Sequence, residues 1–251
     1  VYKKFICITL FIGLFCGCSR QNTKINEFFQ TQKAIAISQD YKDILDLVIK
    51  YKIKLDKRNP KHYNKYFKSA IYTQIEQIEK NITLRDTNNK RLVNFKQYLD
   101  LAFNKKGIKY RNDYLILGLY YMIYDAYSLQ RVHKFTALNY DNDKLTKLYK
   151  NLYILRWKVR TAKDINGNYL FLTWQNNWQI EYMKKKFTDL NKLKTLNSIV
   201  LNKETLLSHS NFSFEVLLSI MINRVESTLR DIGSEPSEIT IETIKSLVFI
   251  I

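Results

Sequence analysis

Tyr114-Leu-Ile-Leu-Gly-Leu-Tyr-Tyr-Met-Ile-Tyr-Asp-Ala-Tyr-Ser-Leu129 is the stretch on which the reading of this chain turns. Apolar and aromatic residues surround a helix drawn through it, so it reads as a central helix buried on every side. It is shorter than the ~20 residues a bilayer-spanning helix needs, and it is rich in tyrosine. Gly118 costs a helix roughly 1 kcal/mol against Ala, a cost that suits a site where another helix packs closely. A helix of this kind needs other helices around it, and the flanking sequence supplies them.

Upstream, Ile25 to Ile37 reads as a first helix. Asp40 and Asp43 then open a second, with Ile44, Leu47, Val48 and Tyr51 on one stripe at three- and four-residue spacing. Asn59-Pro60 is a boundary, because proline is pre-set for a first helical position. The pattern resumes through Tyr63, Phe67, Ala70, Ile71, Ile75 and Ile78. Asn88 is expected to precede a helix carrying Leu92, Phe95, Leu99 and Phe103, ended by Gly107. Downstream, Leu145 to Val159 turns Leu148, Leu152, Leu155 and Val159 inward, and Asn166-Gly167-Asn168 forms a sharp turn. Phe212 to Leu229 is another strong helix, ended by Gly233, with a tail from Pro236. Only 6 Gly and 2 Pro occur in 251 residues, too few for the many turns of a β-sandwich or barrel. The expectation is an all-α fold: a single multi-helix domain, with no repeat of fixed period.

Tyr169 to Met183 is ambiguous. It fits a hairpin turning at Gln175-Asn176-Asn177. The spacing of Leu170, Trp174, Trp178 and Tyr182, four residues apart, favours a helix instead.

The beginning of the sequence reads as an address. Lys3 and Lys4 are a basic start, and Phe5 to Phe15 is an apolar run too short to span a membrane. Leu14-Phe15-Cys16-Gly17-Cys18 then gives way to the polar Ser19-Arg20-Gln21-Asn22. This resembles the lipobox of bacterial lipoprotein precursors, with Phe15 where the family prefers Leu. The resemblance implies a cleaved signal peptide over 1–17 and lipidation of Cys18. It also implies a short tether through residue 23 and a helical periplasmic domain over 24–251. All 3 Cys lie in this leading segment, so a mature chain keeps no other thiol to mispair outside the cytoplasm. Ser19 after the lipidated position implies the outer membrane, facing the periplasm. The stretch Asn211 to Leu218, through Lys245 to Phe249, resembles the C-terminus of uncharacterised proteobacterial lipoproteins, a likeness that carries no activity with it.

The formal net charge is +18, and it is uneven: from Glu204 onward the chain carries −4, so the remainder carries +22. Such a field draws a protein to anionic lipid, lipopolysaccharide phosphates or cell-wall polymers. Nucleic acid is not expected as a partner of an exported, anchored chain. The same Lys-, Asn-, Ile- and Tyr-rich composition is also what an AT-rich genome produces.

No phosphate-binding Gly loop, nucleophile elbow, zincin motif or dinucleotide fingerprint is present, and no cofactor is expected. His62, His133 and His209 have no His or Cys at ligand spacing, so no metal site is expected. Asp125, among Tyr121, Tyr124 and Tyr127, reads either as a general acid of raised pKa or as a structural acid satisfied by tyrosines, Arg131 or Arg156. Glu215 and Glu226 invite the same pair of readings, and Arg224 reads as a structural partner on a packed helix. Trp174-Gln175-Asn176-Asn177-Trp178 is the most distinctive segment. Flat rings beside amides can stack on sugars and hydrogen-bond their hydroxyls, so Trp174, Gln175, Asn177 and Trp178 are candidate ligand-binding residues. The alternative puts both rings in the core. The function expected is a lipid-anchored protein binding a protein or envelope component. Its rivals are an envelope enzyme using Asp125 or Glu215 on peptidoglycan, and a structural tether between membrane and wall.

Overall fold

The computed structural model describes the backbone of residues 18–129, 140–236, 239–240, 244 and 248–250, and side chains from residue 31 onward. Residues 1–17, on which the signal-peptide reading rests, lie outside it, as do Arg131 and His133. The described residues are all-helical, with two isolated antiparallel bridges and no strand. The elements are α1 (Cys18–Arg58), α2 (Lys68–Glu76), α3 (Phe95–Ala102), α4 (Arg111–Ala126), α5 (Asn142–Thr161) and α6 (Asn177–Lys184). A 3-10 turn (Leu190–Thr195), α7 (Asn197–Val200) and α8 (Ser213–Asp231) follow. Among the described residues no helix is long and apolar enough to cross a membrane.

The central helix is α4, and nearly all of its residues are buried. It packs most closely on α3 and also meets α1 and α5, while α8 lies along both α1 and α5. Gly118 is the reason α3 can come so close. A Cβ placed there would stand 2.8 Å from Leu99 Cδ2 and 3.1 Å from Tyr98 Cβ, inside van der Waals contact. Tyr41, Tyr51, Tyr98, Tyr120 and Tyr127 fill the core as large, fully buried rings. Edge-to-face pairs such as Tyr51 with Phe214 (5.1 Å, 76°) and Tyr98 with Tyr121 (5.2 Å, 76°) suit the ring quadrupoles.

Several boundaries read from the sequence need correction. No helix starts at Pro60: residues 59–67 are turns and bends, and α2 covers only Lys68–Glu76. The helix expected to end at Gly107 stops at Ala102. The first two helices are one continuous helix, α1. Asp40 does not start a helix; it lies buried in the middle of α1, facing α8. Its carboxylate accepts from Thr228 Oγ1 at 3.2 Å and pairs with Arg224 at 3.3 Å, and Asp43 takes the same guanidinium at 2.8 Å. Arg224 is thus the structural partner its sequence context suggested. The helix expected after Asn88 begins instead after Asn94, whose side chain accepts from Gln97 N while Gln97 answers to Asn94 N. Asn88 sits in a turn held by Asp86.

Other signals coincide with the structure. Leu148, Leu152, Leu155 and Val159 all face the core. Gly167 takes a left-handed φ of 79° in the turn where Asp164 N donates to Asn168 O. Gly233, at φ 81°, ends α8 with Ser234 N reaching back to Leu229 O. The chain end is then clipped to α5. Asn151 donates to Ile250 O at 2.8 Å and accepts from Ile250 N at 2.7 Å, and Phe249 is buried beside Phe103.

Candidate functional site

α1 ends at Arg58 because Asn59-Pro60 cannot continue it. From here the loops at one end of the bundle gather around a polar cluster. Lys52 is wholly buried, and its ammonium lies 2.9 Å from Asp56 Oδ2 and 2.9 Å from Asp113 Oδ1. Asn112 Nδ2 donates to Asp56 Oδ1 at 3.1 Å, and Asp113 Oδ2 accepts from Asn64 N at 2.7 Å. Burial pushes the Asp113 carboxyl up, with the Lys52 charge opposing. Each charge in this cluster has an opposite charge or a hydrogen bond, which is what allows it to stay dry. Its role is to fix the loop after α1 onto the start of α4. Asn112 N also donates to His62 O at 2.9 Å, satisfying a first-turn amide that lacks a side-chain cap.

Above the cluster opens a cleft of about 920 Å³. Its walls come from the loop after α1 (Arg58 to His62), the loop before α4 (Lys105 to Arg111), the 164–170 turn, and α6 at Ile180, Met183 and Lys184. Arg111 builds one wall. Its buried guanidinium donates to Ala102 O at 2.6 Å, Asn104 O at 2.8 Å and Lys106 O at 2.9 Å, which pins the loop that presents Lys105 and Lys106. The turn is attached by Ile165 N to Lys105 O at 3.3 Å. Arg58 builds the other wall by donating to Leu172 O, Gln175 O and Asn177 Oδ1.

The cleft's electrostatics are one-sided. Arg58, Lys61, Lys105, Lys106, Lys109, Arg111 and Lys184 line it against a single carboxylate, Asp164. Among the described residues none of these seven cations forms an ion pair, and Asp164 accepts instead from the amides of Asn166 and Asn168. Burial draws the Arg58 and Arg111 guanidinium pKa values down, with Glu204 and Asp164 respectively offsetting it only in part. His62 is pulled below its usual range by burial, then by the nearby charges of Arg111 and Lys61. The charge of an anion placed here would oppose all three shifts.

The residues singled out in the sequence fall into different places. The helix expected over 169–183 starts only at Asn177. The chain before it is an irregular segment following the 164–168 turn, so the stripe of four is not on one helix. Trp174 and Trp178 are half-buried, whereas Gln175 and Asn176 are buried at 2% and 6% exposure. Trp174 stacks edge-on against Tyr169 at 5.5 Å and sits near Arg160. Asn177 is exposed and bridges Arg58 to Glu204, while Trp178 N donates to Glu204. Among the described residues Trp174 pairs with Tyr169 and not with the Trp178 ring. Both indole N–H groups and both amide atoms of Gln175 are buried without a partner.

Asp125 is not buried: its side chain is 39% exposed and pairs with Lys80 at 2.6 Å, above the Tyr121 and Tyr124 rings. Glu215 faces Arg156 at 3.8 Å. Neither lines the cleft. His209 is exposed, and no group of His, Cys, Asp and Glu suited to a metal occurs among the described residues. One wall of the cleft is the stretch Lys105-Lys106-Gly107-Ile108-Lys109-Tyr110-Arg111, which carries no recognised motif. Four cations within seven residues were the available signal for the cleft.

No family model matches this chain, and no curated protein or solved structure matches it either.

Proposed function

We propose that the chain is a lipoprotein anchored through Cys18 to the periplasmic face of the outer membrane, and that its helical domain binds an anionic envelope component without transforming it. The observation that carries the binding half is the cleft: seven Lys and Arg residues, none ion-paired among the described residues, against one carboxylate already held by backbone amides. Cations kept close together repel one another, and their arrangement costs stability unless a ligand of opposite sign uses it. The lipobox-like Leu14-Phe15-Cys16-Gly17-Cys18 supports the anchoring half. A lasting anchor takes two signals, two lipid chains or one chain with a basic patch, since one chain alone holds only weakly. The enzyme reading has less support, because Asp125 and Glu215 are paired outside the cleft.

The test has two parts. Intact mass and membrane fractionation of the wild type and Cys18→Ser read the anchor; an acyl-free wild type that still partitions with membranes overturns it. A photo-crosslinking residue at Lys109 in living cells reads the cleft. The expected adduct is anionic envelope material, and it disappears when Lys105 and Lys106 are changed to Glu. An adduct that persists in that variant overturns binding at the cleft.

A further inference from the structure

The cleft is not uniformly polar. Ile108, Leu170 and Ile180 line it as side chains buried to 8%, 6% and 6% exposure. The apolar lining continues into the open through Met183, 41% exposed, and Ile165, 74% exposed. Ile165 sits at the tip of a tight turn, where a polar residue is the ordinary choice, and it points its surface at solvent beside Lys105. Exposed apolar side chains framed by charge mark an interaction site, and methionine suits one because its unbranched chain adapts to irregular ligands.

From these two properties together we infer that the ligand is an amphiphile with a phosphate head and a hydrocarbon limb. This rests on the proposed anion-binding reading of the same cleft. The head seats among Lys61, Lys105, Lys106 and Lys109, and the limb lies over Ile108, Ile165, Ile180 and Met183. A phosphate is favoured over a carboxylate because the cations that hold the head come from two separate segments, 58–62 and 105–111, and approach it from both. Three terminal oxygens can meet donors arriving from several directions, where a carboxylate presents one flat edge. The volume of about 920 Å³ falls within the usual ~300–1,000 Å³ of small-ligand clefts, so a head and a single chain fit.

The experiment is a calorimetric titration of the full chain in phosphatidylcholine nanodiscs, with empty nanodiscs subtracted. The probes are inorganic phosphate, butyl, hexyl and octyl phosphate, and octanol. Affinity is expected to rise along the alkyl series by up to about fourfold per methylene, the ratio that burying one CH₂ gives. Lys105→Glu with Lys106→Glu should weaken every phosphate probe roughly tenfold or more, as loss of charge-assisted bonds does. Ile165→Asp with Met183→Glu should flatten the chain-length series. All four positions are exposed, so unchanged melting shows that the variants fold. Inorganic phosphate binding as tightly as octyl phosphate overturns the amphiphile and leaves the anion reading intact. Octanol matching octyl phosphate, with no effect of the Lys105 and Lys106 changes, overturns both. An acidic peptide of eight glutamates displacing octyl phosphate at equal concentration would also overturn the inference, in favour of a protein partner.

Discussion

Two polar regions lie at the same end of the helical bundle and obey opposite rules. In the buried cluster, Lys52 is matched by Asp56 and Asp113 at 2.9 Å each and water is excluded. In the cleft above it, seven cations meet one carboxylate and the lysines stand in solvent. The difference separates two uses of charge. Matched charge under cover fixes how α1 meets α4. Unmatched charge in an open concavity is left available to a ligand. Arg58 and Arg111 belong partly to both, since their guanidinium groups hold backbone carbonyls and still line the cleft.

The contrast breaks first, and hardest, at the buried cluster. Lys52→Ala leaves two carboxylates buried without their cation, and the expected cost is about 3–5 kcal/mol in denaturant unfolding. A loss under ~1 kcal/mol would mean that the cluster is hydrated and not unlike the cleft. Trp174→Ala is a graded comparison from outside both regions. Its ring is half-buried, so the loss should be about 2 kcal/mol, below the ~3–5 of a fully buried aromatic. Unfolding curves of the two variants, run side by side, give the ranking.

Next comes the pH axis. Glu181 accepts from Lys185 Nζ at 2.8 Å, from the amides of Asn197 and Ser198 and from the Ser198 hydroxyl, and these bonds hold its pKa down to about 2. A depressed carboxylate stabilises the fold fully above its unfolded pKa near 4.5, and that stability is lost as pH falls toward 2. Glu181→Gln should remove this part of the acid dependence. His62 runs on a different window. Its folded pKa lies below the unfolded value near 6.5, so nothing is lost above that pH. As pH drops below 6.5 the unfolded chain takes up a proton first, and stability falls until the folded pKa is passed. An anion in the cleft opposes the Arg111 and Lys61 charges. Saturating pyrophosphate should therefore raise the His62 pKa, read from its ring proton shifts by magnetic resonance. A His62 titration indifferent to pyrophosphate would mean that the anion sits elsewhere.

The smallest thermal effect is expected in the cleft itself. Lys106→Glu and Lys109→Glu are exposed changes and should leave the melting temperature nearly where it is, within about 0.5 kcal/mol of stability. A large stabilisation from either change would sharpen the contrast further, as release of the mutual repulsion of the cleft lysines.

Much of the helical skeleton was legible because its signals are local. The inward stripe of α5, the stop at Asn59-Pro60 and the left-handed turn at Gly167 each depend on residues within a few positions. Two of the failures share one cause, a partner distant in the chain. Asp40 and Asp43 resemble a helix start because acids suit a first turn, but their partner, Arg224, lies on α8. The four-residue spacing of Leu170, Trp174, Trp178 and Tyr182 mimicked a helical stripe. The chain there follows Arg58 instead, which ties down Leu172 and Gln175 by their carbonyls and Asn177 by its side chain.

The sequence by itself determined that this protein is helical and that α4 is its buried centre, since periodicity and the scarcity of glycine and proline act at short range. It also determined an excess of positive charge, with no indication of where that charge would collect. Only the tertiary structure decided that. Lys61, Lys105, Lys109 and Lys184 come from segments far apart in the chain, and they meet because contacts between distant residues, Lys52 with Asp113 and Arg58 with Gln175, bring two loops, a turn and α6 toward one another. Pairings of that range leave no periodic trace in a sequence, and the cleft exists through them.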